Sequence, residues 1–334
     1  MLTTRSVTFP EFESTAAELG ITLPIEQTEA WSRYEATIPG RAPWGQFVLE
    51  RDGAAVALVA FADYETHGYH YLRAHHAPVW AATPSEDDER EAVSAIRELV
   101  RARERRQVFA RMGVLHDLDA CQPVLSTYPY DQTVVIDIAG GDEEEILSRM
   151  KGRGRRDVRK SLRECPATFA DETERATADF SEYYEVMRDT ASRDGFTPAP
   201  KSDYEDMLRI LGPEHCRLFC GRIDGRVITW TISTISGTQA VRYYGASRSE
   251  SARSLATDGL IFFECHTLGK MGCTTYDQMG IGNDFSPHLK SLNTFKTKFS
   301  KEVTDVAPDR DVPFHDLFYK ALVKAKALRD RKRD

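Results

Sequence analysis

The chain has 334 residues, of which 41% are hydrophobic and 29% charged, a composition typical of a soluble globular protein with two domains of ordinary size. No apolar run approaches the roughly 18 residues that span a bilayer, and the N-terminal segment lacks the apolar core of a signal peptide, so the sequence predicts no integral membrane segment. The net charge of −8 argues against a protein that coats nucleic acid over its whole surface.

Three strand patterns, a helix and a fourth strand follow one another in the first half of the chain. The first three strands are separated by the turn pairs Asp52-Gly53 and His67-Gly68. Ser85 is a good N-cap for the helix, because its first turn is acidic and its last turn is rich in arginine. The predicted strands are 46–50, 54–63, 69–73 and 108–112.

The second half repeats this order. A helix is predicted from Asp258 to about Lys270, and the strands around it are 217–222, 226–235, 239–244 and 275–278. Two copies of one order imply an internal duplication that sequence identity no longer shows. We therefore expect an α+β fold of two tandem domains, each a mixed sheet flanked by helices.

The predicted domain boundaries follow from this duplication. Residues 1–138 together with 303–334 form the first domain, which includes a returning C-terminal helix at 314–331. Residues 139–302 form the second domain. Leu317, Leu322 and Val323 are the predicted apolar side of the returning helix.

The stretch 241–259 separates the functional interpretations. It is predicted to begin as a strand, to break at Gly245, to cross a loop rich in serine and arginine, and to reach Asp258 as the N-cap of the next helix. A strand, a polar loop and a helix N-terminus in this order form an anion site, because free N–H groups and the positive end of the helix dipole converge there.

The order of elements resembles the GNAT fold of the acyl-CoA N-acyltransferases. In that family a glycine-containing loop after the central strand holds the pyrophosphate of coenzyme A. Here no glycine lies between Gly245 and Gly259, and the equivalent loop at 75–85 has none either. Without glycine the backbone approaches a pyrophosphate less closely, so we expect no coenzyme A and no other cofactor.

Six short motifs occur in a characteristic order and spacing. They are Gln27-Thr28 with Trp31, RRDVRK at 155–160, TASRDGF at 190–196, YYGA at 243–246, Tyr276-Asp277 with Gly280-Ile281, and FKTKF at 295–299. In this arrangement the chain resembles the FemABX family of aminoacyl-tRNA-dependent peptidyltransferases. The resemblance covers nearly the whole chain. Because no long heptad segment for a coiled-coil arm is present, it is closest to the short, FemX-like type.

The resemblance implies a reaction and its partners. An amino acid would pass from aminoacyl-tRNA to the peptide-stem amine of a peptidoglycan precursor, which is the step that forms an interpeptide bridge. The implied partners are aminoacyl-tRNA and a UDP-linked or lipid-linked muropeptide. The chemistry is aminolysis of an ester, which needs positioning and stabilisation of an oxyanion but neither a metal nor a covalent intermediate.

Catalytic residues are also implied by the resemblance. A lysine of the Phe-Lys-x-x-Phe segment acts on the oxyanion in FemX-type members, so Lys296 and Lys298 are the candidates. Asp277, Tyr243 and Tyr244 are expected at strand ends facing the site, where they orient the peptide stem or hold the amine. Because side chains alternate along a strand, only one of the two tyrosines is expected to face the site.

Phosphate contacts complete the implied set. Arg193 precedes Asp194-Gly195-Phe196, and Arg33 follows Trp31, which are the positions associated with the diphosphate of a UDP-linked acceptor. A helix is expected to start at Asp142, with one basic stripe that contacts the tRNA backbone. Its members are Arg149, Arg153, Arg156, Lys160 and Arg163, and Gly152 and Gly154 are expected to weaken the helix there.

Other interpretations remain open from the sequence. Each of these cations is alternatively a solvated or ion-paired surface residue. The enzyme is alternatively an aminoacyl-tRNA-dependent ligase with a non-cell-wall peptide acceptor, a coenzyme A-dependent N-acyltransferase, or a binding protein that kept the duplicated fold. The six cysteines and nine histidines have no metal-ligand spacing, so we expect no metal, and reduced thiols favour a cytoplasmic location.

Overall fold

The computed structural model describes residues 1–125 and 129–330. The chain divides into two units. The first comprises Met1–Asp131 and Val306–Asp334, and the second comprises Gln132–Asp305. Among the described residues, no helix combines the length and the apolar character that a membrane span requires.

The unit boundaries lie near the predicted residues 138 and 302 but do not coincide with them. The strand Gln132–Asp137 pairs inside the second sheet, and Thr304–Asp305 pairs with it, so both belong to the second unit. Residues 331–334, which the sequence assigns to the first domain, lie outside the described residues.

In its described residues, the first unit is one mixed sheet with four α-helices. Its strands are β1 (Leu2–Val7), β2 (Arg41–Arg51), β3 (Ala54–Thr66), β4 (Tyr69–Arg73), β5 (Val79–Trp80), β6 (Gln107–Gly113) and β14 (Asp309–Pro313). They are ordered β1-β2-β3-β4-β6-β14, with β5 paired to β3, and β4 runs parallel to β6. The helices are α1 (Phe9–Glu18), α2 (Glu29–Glu35), α3 (Glu86–Arg103) and α12 (Asp316–Asp330).

The second unit is also a seven-stranded mixed sheet, and five consecutive strands in it repeat the order of the first. Its strands are β7 (Gln132–Asp137), β8 (Thr168–Asp171), β9 (Cys216–Ile223), β10 (Arg226–Ser236), β11 (Gln239–Ser247), β12 (Thr275–Gly280) and β13 (Thr304–Asp305). They are ordered β13-β7-β12-β11-β10-β9-β8, and β11 runs parallel to β12. The internal duplication and the mixed sheets predicted from the sequence are therefore present.

Eight helices accompany this second sheet in the described residues. They are α4 (Glu143–Arg149), α5 (Gly152–Glu164), α6 (Thr173–Ala178), α7 (Ser181–Asp194), α8 (Lys201–His215), α9 (Ser249–Ser254), α10 (Ala256–Lys270) and α11 (Lys290–Lys296). The equivalent of α3 is α10, because each follows the strand that has a parallel neighbour.

Turn chemistry explains why the two long hairpins form. Asp52-Gly53 joins β2 to β3, and Asp224-Gly225 joins β9 to β10. All four residues have positive φ, between 49° and 81°. A two-residue hairpin loop requires this conformation at both positions, and Asp-Gly adopts it at low cost.

Each sheet buries one face under its long helix. Ile96 and Val100 of α3 lie in the core of the first unit. Leu260, Ile261 and Leu268 of α10 are completely buried in the core of the second. Complete burial of one such side chain contributes about 1.5–3 kcal/mol, so these two helices hold the layers together.

The predicted helix beginning at Asp142 is two helices. α4 ends at Arg149, Met150 and Lys151 are extended, and α5 begins at Gly152. α5 nevertheless runs through Gly152 and Gly154. A Cβ at Gly154 would lie 2.2 Å from the carbonyl oxygen of Lys298, so glycine permits the helix to approach that backbone.

The loop predicted between Gly245 and Asp258 is largely ordered into elements. β11 continues through Gly245 to Ser247, and α9 follows. The next helix begins earlier than predicted, after Leu255, which adopts φ 57°. Asp258 is therefore not the N-cap, since it lies inside the first turn of α10.

The C-terminal helix α12 belongs to the first unit, but its contacts differ from the predicted ones. Leu317 and Val323 are exposed. The buried residue is Tyr319, whose hydroxyl donates to the carboxylate of Asp311 at 3.0 Å and to the carbonyl of Pro123 at 3.1 Å. Leu322, the remaining residue of the predicted apolar side, packs against the buried cluster of Val108, Phe109, Leu125 and Tyr319.

Candidate active site

The parallel strands β11 and β12 separate in the second unit. They pair at Gln239 with Thr275 through Val241 with Asp277 and no further. β11 nevertheless continues six residues to Ser247, paired with β10. Ligands of open sheets bind beyond the carboxyl ends of strands where neighbouring strands part. We call this opening, between residues 242–247 and 278–280, the β11–β12 gap.

A β-bulge lies on each side of the β11–β12 gap. On β11, Ser233 is opposite Arg242 and Ile232 is opposite Tyr244, which leaves Tyr243 as the extra residue. On β12, the pairing with β7 shifts between Asp277 and Gly280, and Met279 has φ 61°. Bulges redirect side chains and carbonyl groups, and they occur frequently beside active sites.

Lys296, at the end of α11, lies at this gap. Its Nζ donates to the carbonyl oxygens of Gly280 at 2.8 Å and Met279 at 3.3 Å, the two groups that the β12 bulge redirects. Burial, which is the largest cause, and the charge of Arg242 together lower the pKa of Lys296 to about 8, although the charge of Asp277 acts in the opposite direction. The lysine is thus a desolvated amine that is mostly protonated at neutral pH.

Asp277 stabilises the bulge beside Lys296. Its Oδ1 accepts from the backbone N–H of Met279 at 2.6 Å and from the hydroxyl of Thr133. The hydrogen bond to Met279 accounts for the positive φ of that residue, because a side-chain acceptor two positions earlier satisfies its N–H. Of the residues named from the sequence, the structure brings Lys296 and Asp277 together here.

Lys298 occupies a different environment. Its side chain is 7% exposed and pairs with Asp258 of α10 and, at 3.3 Å, with Asp157 of α5. Its Nζ also lies 4.8 Å from the ring centroid of Phe295 and 5.2 Å from that of Phe299. Lys298 therefore joins three helical segments and is not directed at the gap by these contacts.

Tyr243 and Tyr244 contact each other. Their ring centroids are 5.2 Å apart and the rings are nearly perpendicular, while Tyr244 also packs at 4.9 Å on Tyr204 of α8. The expectation that only one tyrosine faces the site assumed a regular strand, and it stays a prediction. The bulge at Tyr243 interrupts the alternation of the strand, and the two rings lie side by side.

Arg193 lies at the end of α7. Its Nε and Nη2 bond Asp194 at 2.8 and 3.0 Å, and Nη1 donates to the carbonyl of Ser247 at 2.7 Å. The pairing with Asp194 raises the pKa of Arg193. Arg193 is thus beside the end of β11 and 37% exposed. Arg33 is exposed on α2, in the other unit.

The predicted basic stripe is divided by the break between α4 and α5. Arg149 is on α4, where it donates to Asp137 at 3.0 Å and to Glu145 at 3.1 Å. The other four form one exposed face of α5, which we call the α5 stripe: Arg153, Arg156, Lys160 and Arg163. These four are 56–72% exposed and their carboxylate partners lie 3.4–3.8 Å away. They point away from the buried face of Gly154, Val158 and Ser161.

Two charged residues at the β11–β12 gap were missed in the sequence. Arg242 of β11 follows the last parallel pair, and Glu264 of α10 is completely buried behind it. The charge of Arg242 acts on both Lys296 and Glu264. A signal was available, because Glu264 interrupts the apolar run LIFFECHTL, where an acid without a buried partner would be costly. Among the described residues, no group of histidine, cysteine, aspartate and glutamate has the arrangement of a metal site.

Comparison with known proteins gives the same architecture. Residues 152–286 match the model of the acetyltransferase (GNAT) domain. The structure of FemX superimposes with a TM-score of 0.74 at 14% identity, covering 95% of this chain and 99% of that one. This chain has the tandem GNAT fold. The resemblance to the FemX-like type is thereby confirmed for the fold.

Two further structures share this tandem arrangement. One is the C-terminal DUF2156 domain of a putative lysylphosphatidylglycerol synthetase from Agrobacterium fabrum, with a TM-score of 0.56 at 13% identity, covering 91% of this chain and 92% of that one. The other is a tandem GNAT protein from the clavulanic acid biosynthesis pathway, with a TM-score of 0.52 at 11% identity over 94% and 99% of the chains. No curated protein sequence matches this chain.

Proposed function

We propose that this protein is an aminoacyltransferase, which moves an amino acid from aminoacyl-tRNA to the peptide-stem amine of a peptidoglycan precursor. The single observation that carries the proposal is Lys296 at the β11–β12 gap of a fold shared with FemX. A UDP-linked or lipid-linked muropeptide is the acceptor. The chemistry of an acyl transfer is the part that the site supports most directly.

The proposed reaction needs a positive charge beside the carbonyl oxygen of the ester. The acceptor amine attacks the ester carbonyl, and the carbonyl oxygen becomes an oxyanion. Collapse of this intermediate forms the amide, breaks the ester C–O bond, and releases the 3′ oxygen of the tRNA, which takes up the proton lost by the amine. The ammonium of Lys296 stabilises the oxyanion, and its low exposure strengthens that interaction.

The remaining predicted residues have supporting roles in this proposal. Arg193 contacts the diphosphate of the acceptor, and Tyr243, Tyr244 and Asp277 orient the peptide stem. The phosphate contact of Arg33 stays a prediction from the sequence. The α5 stripe contacts the tRNA backbone, since its four cations are exposed and only loosely paired. Arg149 contributes less, because Asp137 and Glu145 already bind its guanidinium.

A transfer assay on Lys296→Ala tests the proposal. Loss of an oxyanion donor typically lowers kcat about 10²–10³-fold, and acceptor binding should stay within a few-fold. In the unaltered protein, transfer should fall as pH rises through about 8, where Lys296 loses its charge. Lys290→Ala is the matched control, since Lys290 is on the same helix, is exposed and pairs with Asp284.

The substrates of this assay distinguish the alternatives. Radiolabelled aminoacyl-tRNAs are supplied with UDP-linked pentapeptide, lipid-linked pentapeptide and an unrelated peptide carrying a free amine. Transfer only to the unrelated peptide would replace the cell-wall acceptor. Transfer from acetyl-CoA but from no aminoacyl-tRNA would establish the coenzyme A-dependent alternative, which the match to the acetyltransferase model favours. Binding of tRNA without any transfer would reject an enzymatic role.

A further inference from the structure

A group of buried polar side chains lies behind the β11–β12 gap and takes no part in the proposed chemistry. Glu264, Tyr276 and Ser233 are completely buried, and they come from α10, β12 and β10. The hydroxyl of Tyr276 donates to Oε2 of Glu264 at 2.6 Å and lies 2.8 Å from the hydroxyl of Ser233. A buried carboxylate is costly without a counter-charge, so we expect a cation near Glu264.

Arg242 is the cation that faces this carboxyl. Its Nε is 3.8 Å from Oε2 of Glu264, and its Nη2 donates to the hydroxyl of Thr231 at 3.0 Å. Burial raises the pKa of Glu264, while the charge of Arg242 and the hydroxyl of Tyr276 act in the opposite direction. The guanidinium therefore has an ion pair with α10 and a hydrogen bond to β10.

Gly245, on the same strand as Arg242, leaves room for this guanidinium. A Cβ at Gly245 would lie 2.9 Å from Nη2 and 3.0 Å from Nη1 of Arg242. Glycine at this position leaves room for the guanidinium to lie flat along β11. A strand break was predicted at Gly245, but the strand continues to Ser247 and Arg242 occupies the space beside this glycine.

We propose that Glu264 is a positioning residue which holds Arg242 beside Lys296, so that the gap presents two adjacent cations to one oxyanion. Arg242 follows Val241, which pairs with Asp277, and Lys296 bonds the carbonyls just beyond Asp277. Two cations at the β11–β12 gap stabilise the developing negative charge of the oxyanion more than one cation does. The inference rests on the proposed function for its chemistry, but its geometry is independent of any substrate.

The charged surroundings of Lys296 predict the direction of each effect. Arg242 on β11 lowers the pKa of Lys296, Asp277 on β12 raises it, and Glu264 on α10 acts through Arg242. Removing the guanidinium should therefore raise the pKa of Lys296. If Glu264 holds the guanidinium in place, removing the carboxylate should release Arg242 and shift the same pKa in the same direction.

The test measures the reactivity of Lys296 without a substrate. Each protein is pulse-labelled with an acylating reagent for amines between pH 6 and 10, and the labelled peptides are quantified by mass spectrometry. Arg242→Gln should lower the labelling of Lys296 at pH 7 by about tenfold, the effect of one unit of pKa. Glu264→Gln should lower it similarly, the double variant should add nothing, and Arg242→Lys should restore the native profile.

Controls separate positioning from folding. Ser233→Ala removes a hydroxyl from the buried group but no charge, so it should leave the labelling unchanged. Lys298 is buried and should remain unlabelled in every folded variant, which reports integrity within the same sample. Unchanged or increased labelling of Lys296 in Glu264→Gln, with Lys298 still protected, would overturn the inference.

Transfer activity provides a second arm that keeps the two hypotheses apart. If labelling depends on Arg242 and Glu264 but no acyl donor supports transfer, the positioning role stands and the proposed function fails. If transfer occurs and its pH profile is the same in Glu264→Gln as in the native protein, the positioning role fails and the proposed function stands.

Discussion

Lys298→Met should destabilise the second unit without acting on chemistry. The side chain of Lys298 is 7% exposed, and those of Asp258 and Asp157 are 5% and 15% exposed. Asp157 keeps Arg153 and Arg156 as partners, but among the described residues Asp258 keeps no other cation. Breaking a buried pair by removing one partner costs about 3–5 kcal/mol. At about 2–4 °C per kcal/mol for a unit of this size, the melting temperature should fall by roughly 10 °C.

The pH dependence of this loss has a definite sign. Burial already raises the pKa of Asp258, and without Lys298 that pKa should rise further. A carboxyl whose pKa is higher in the folded state destabilises the fold above that pKa, and this cost disappears below the unfolded value. The destabilisation should therefore be greatest above the raised pKa of Asp258 and should decrease as the solution is acidified towards the pKa of the unfolded chain.

Urea denaturation at several pH values, with hydrogen exchange of the amides in α5 and α10, measures both effects. Lys298→Met combined with Asp258→Asn should recover most of the lost stability, because neither charge is then left unpaired. A loss below about 1 kcal/mol, or one that does not decrease as the solution is acidified, would refute the assignment of Lys298 to structure. Abolished transfer in a variant of native stability would return Lys298 to the catalytic candidates.

Two further predictions concern α5. Gly154→Ala should destabilise the second unit by about 1–3 kcal/mol, because its Cβ would lie 2.2 Å from the carbonyl oxygen of Lys298. Gly152→Ala should not destabilise it, because the nearest atom to a Cβ there is Nη2 of Arg155 at 3.9 Å, and equal denaturation midpoints for the two variants would contradict this reasoning. Replacing the four residues of the α5 stripe with glutamine should reduce the salt dependence of tRNA binding, with the logarithmic slope falling by about 0.9 for each lost contact to duplex phosphate. An equal charge change on the exposed face of α3 is the control, and an unchanged slope in filter-binding titrations would show that the stripe is a solvated surface.

The regular parts of the fold could be predicted from the sequence because their signals are local. Asp52-Gly53 and Asp224-Gly225 specify hairpins through the conformations that their own backbones adopt. Ser85 was correctly predicted as a helix N-cap, and its side chain accepts from the N–H of Asp88 at 3.2 Å. Asp258 has an equally good cap sequence, but its partner is Lys298, and this tertiary contact prevailed over the local preference.

The candidate site was only partly predictable, because its geometry depends on contacts between distant segments. Lys296 and Lys298 are two positions apart and indistinguishable by type. They differ because Asp157 and Asp258 bind one of them, while the carbonyls of Met279 and Gly280 bind the other. The bulge at Tyr243 is equally invisible in a strand-like sequence.

Each unit contains a place where two strands separate, and a different side chain bonds the exposed backbone groups in each. In each, a strand separates from one neighbour and stays bonded to the other. After Arg73 the chain leaves β3 but still bonds β6, and after Val241 β11 leaves β12 but stays paired with β10. Separation of the strands leaves backbone groups that need partners. In the first unit the side-chain amide of Gln27 bonds both the N–H and the carbonyl of Ala60, and also the carbonyl of His75.

In the second unit the partner of the backbone carbonyls is the amine of Lys296. An amide and an ammonium satisfy a carbonyl group equally well as hydrogen-bond donors, but only the ammonium brings a charge into the opening. The duplicated architecture therefore accounts for two gaps, and the residue that bonds the exposed backbone determines what each gap does. We therefore expect Gln27 to have a structural role in the first unit and the proposed transfer reaction to take place in the second unit.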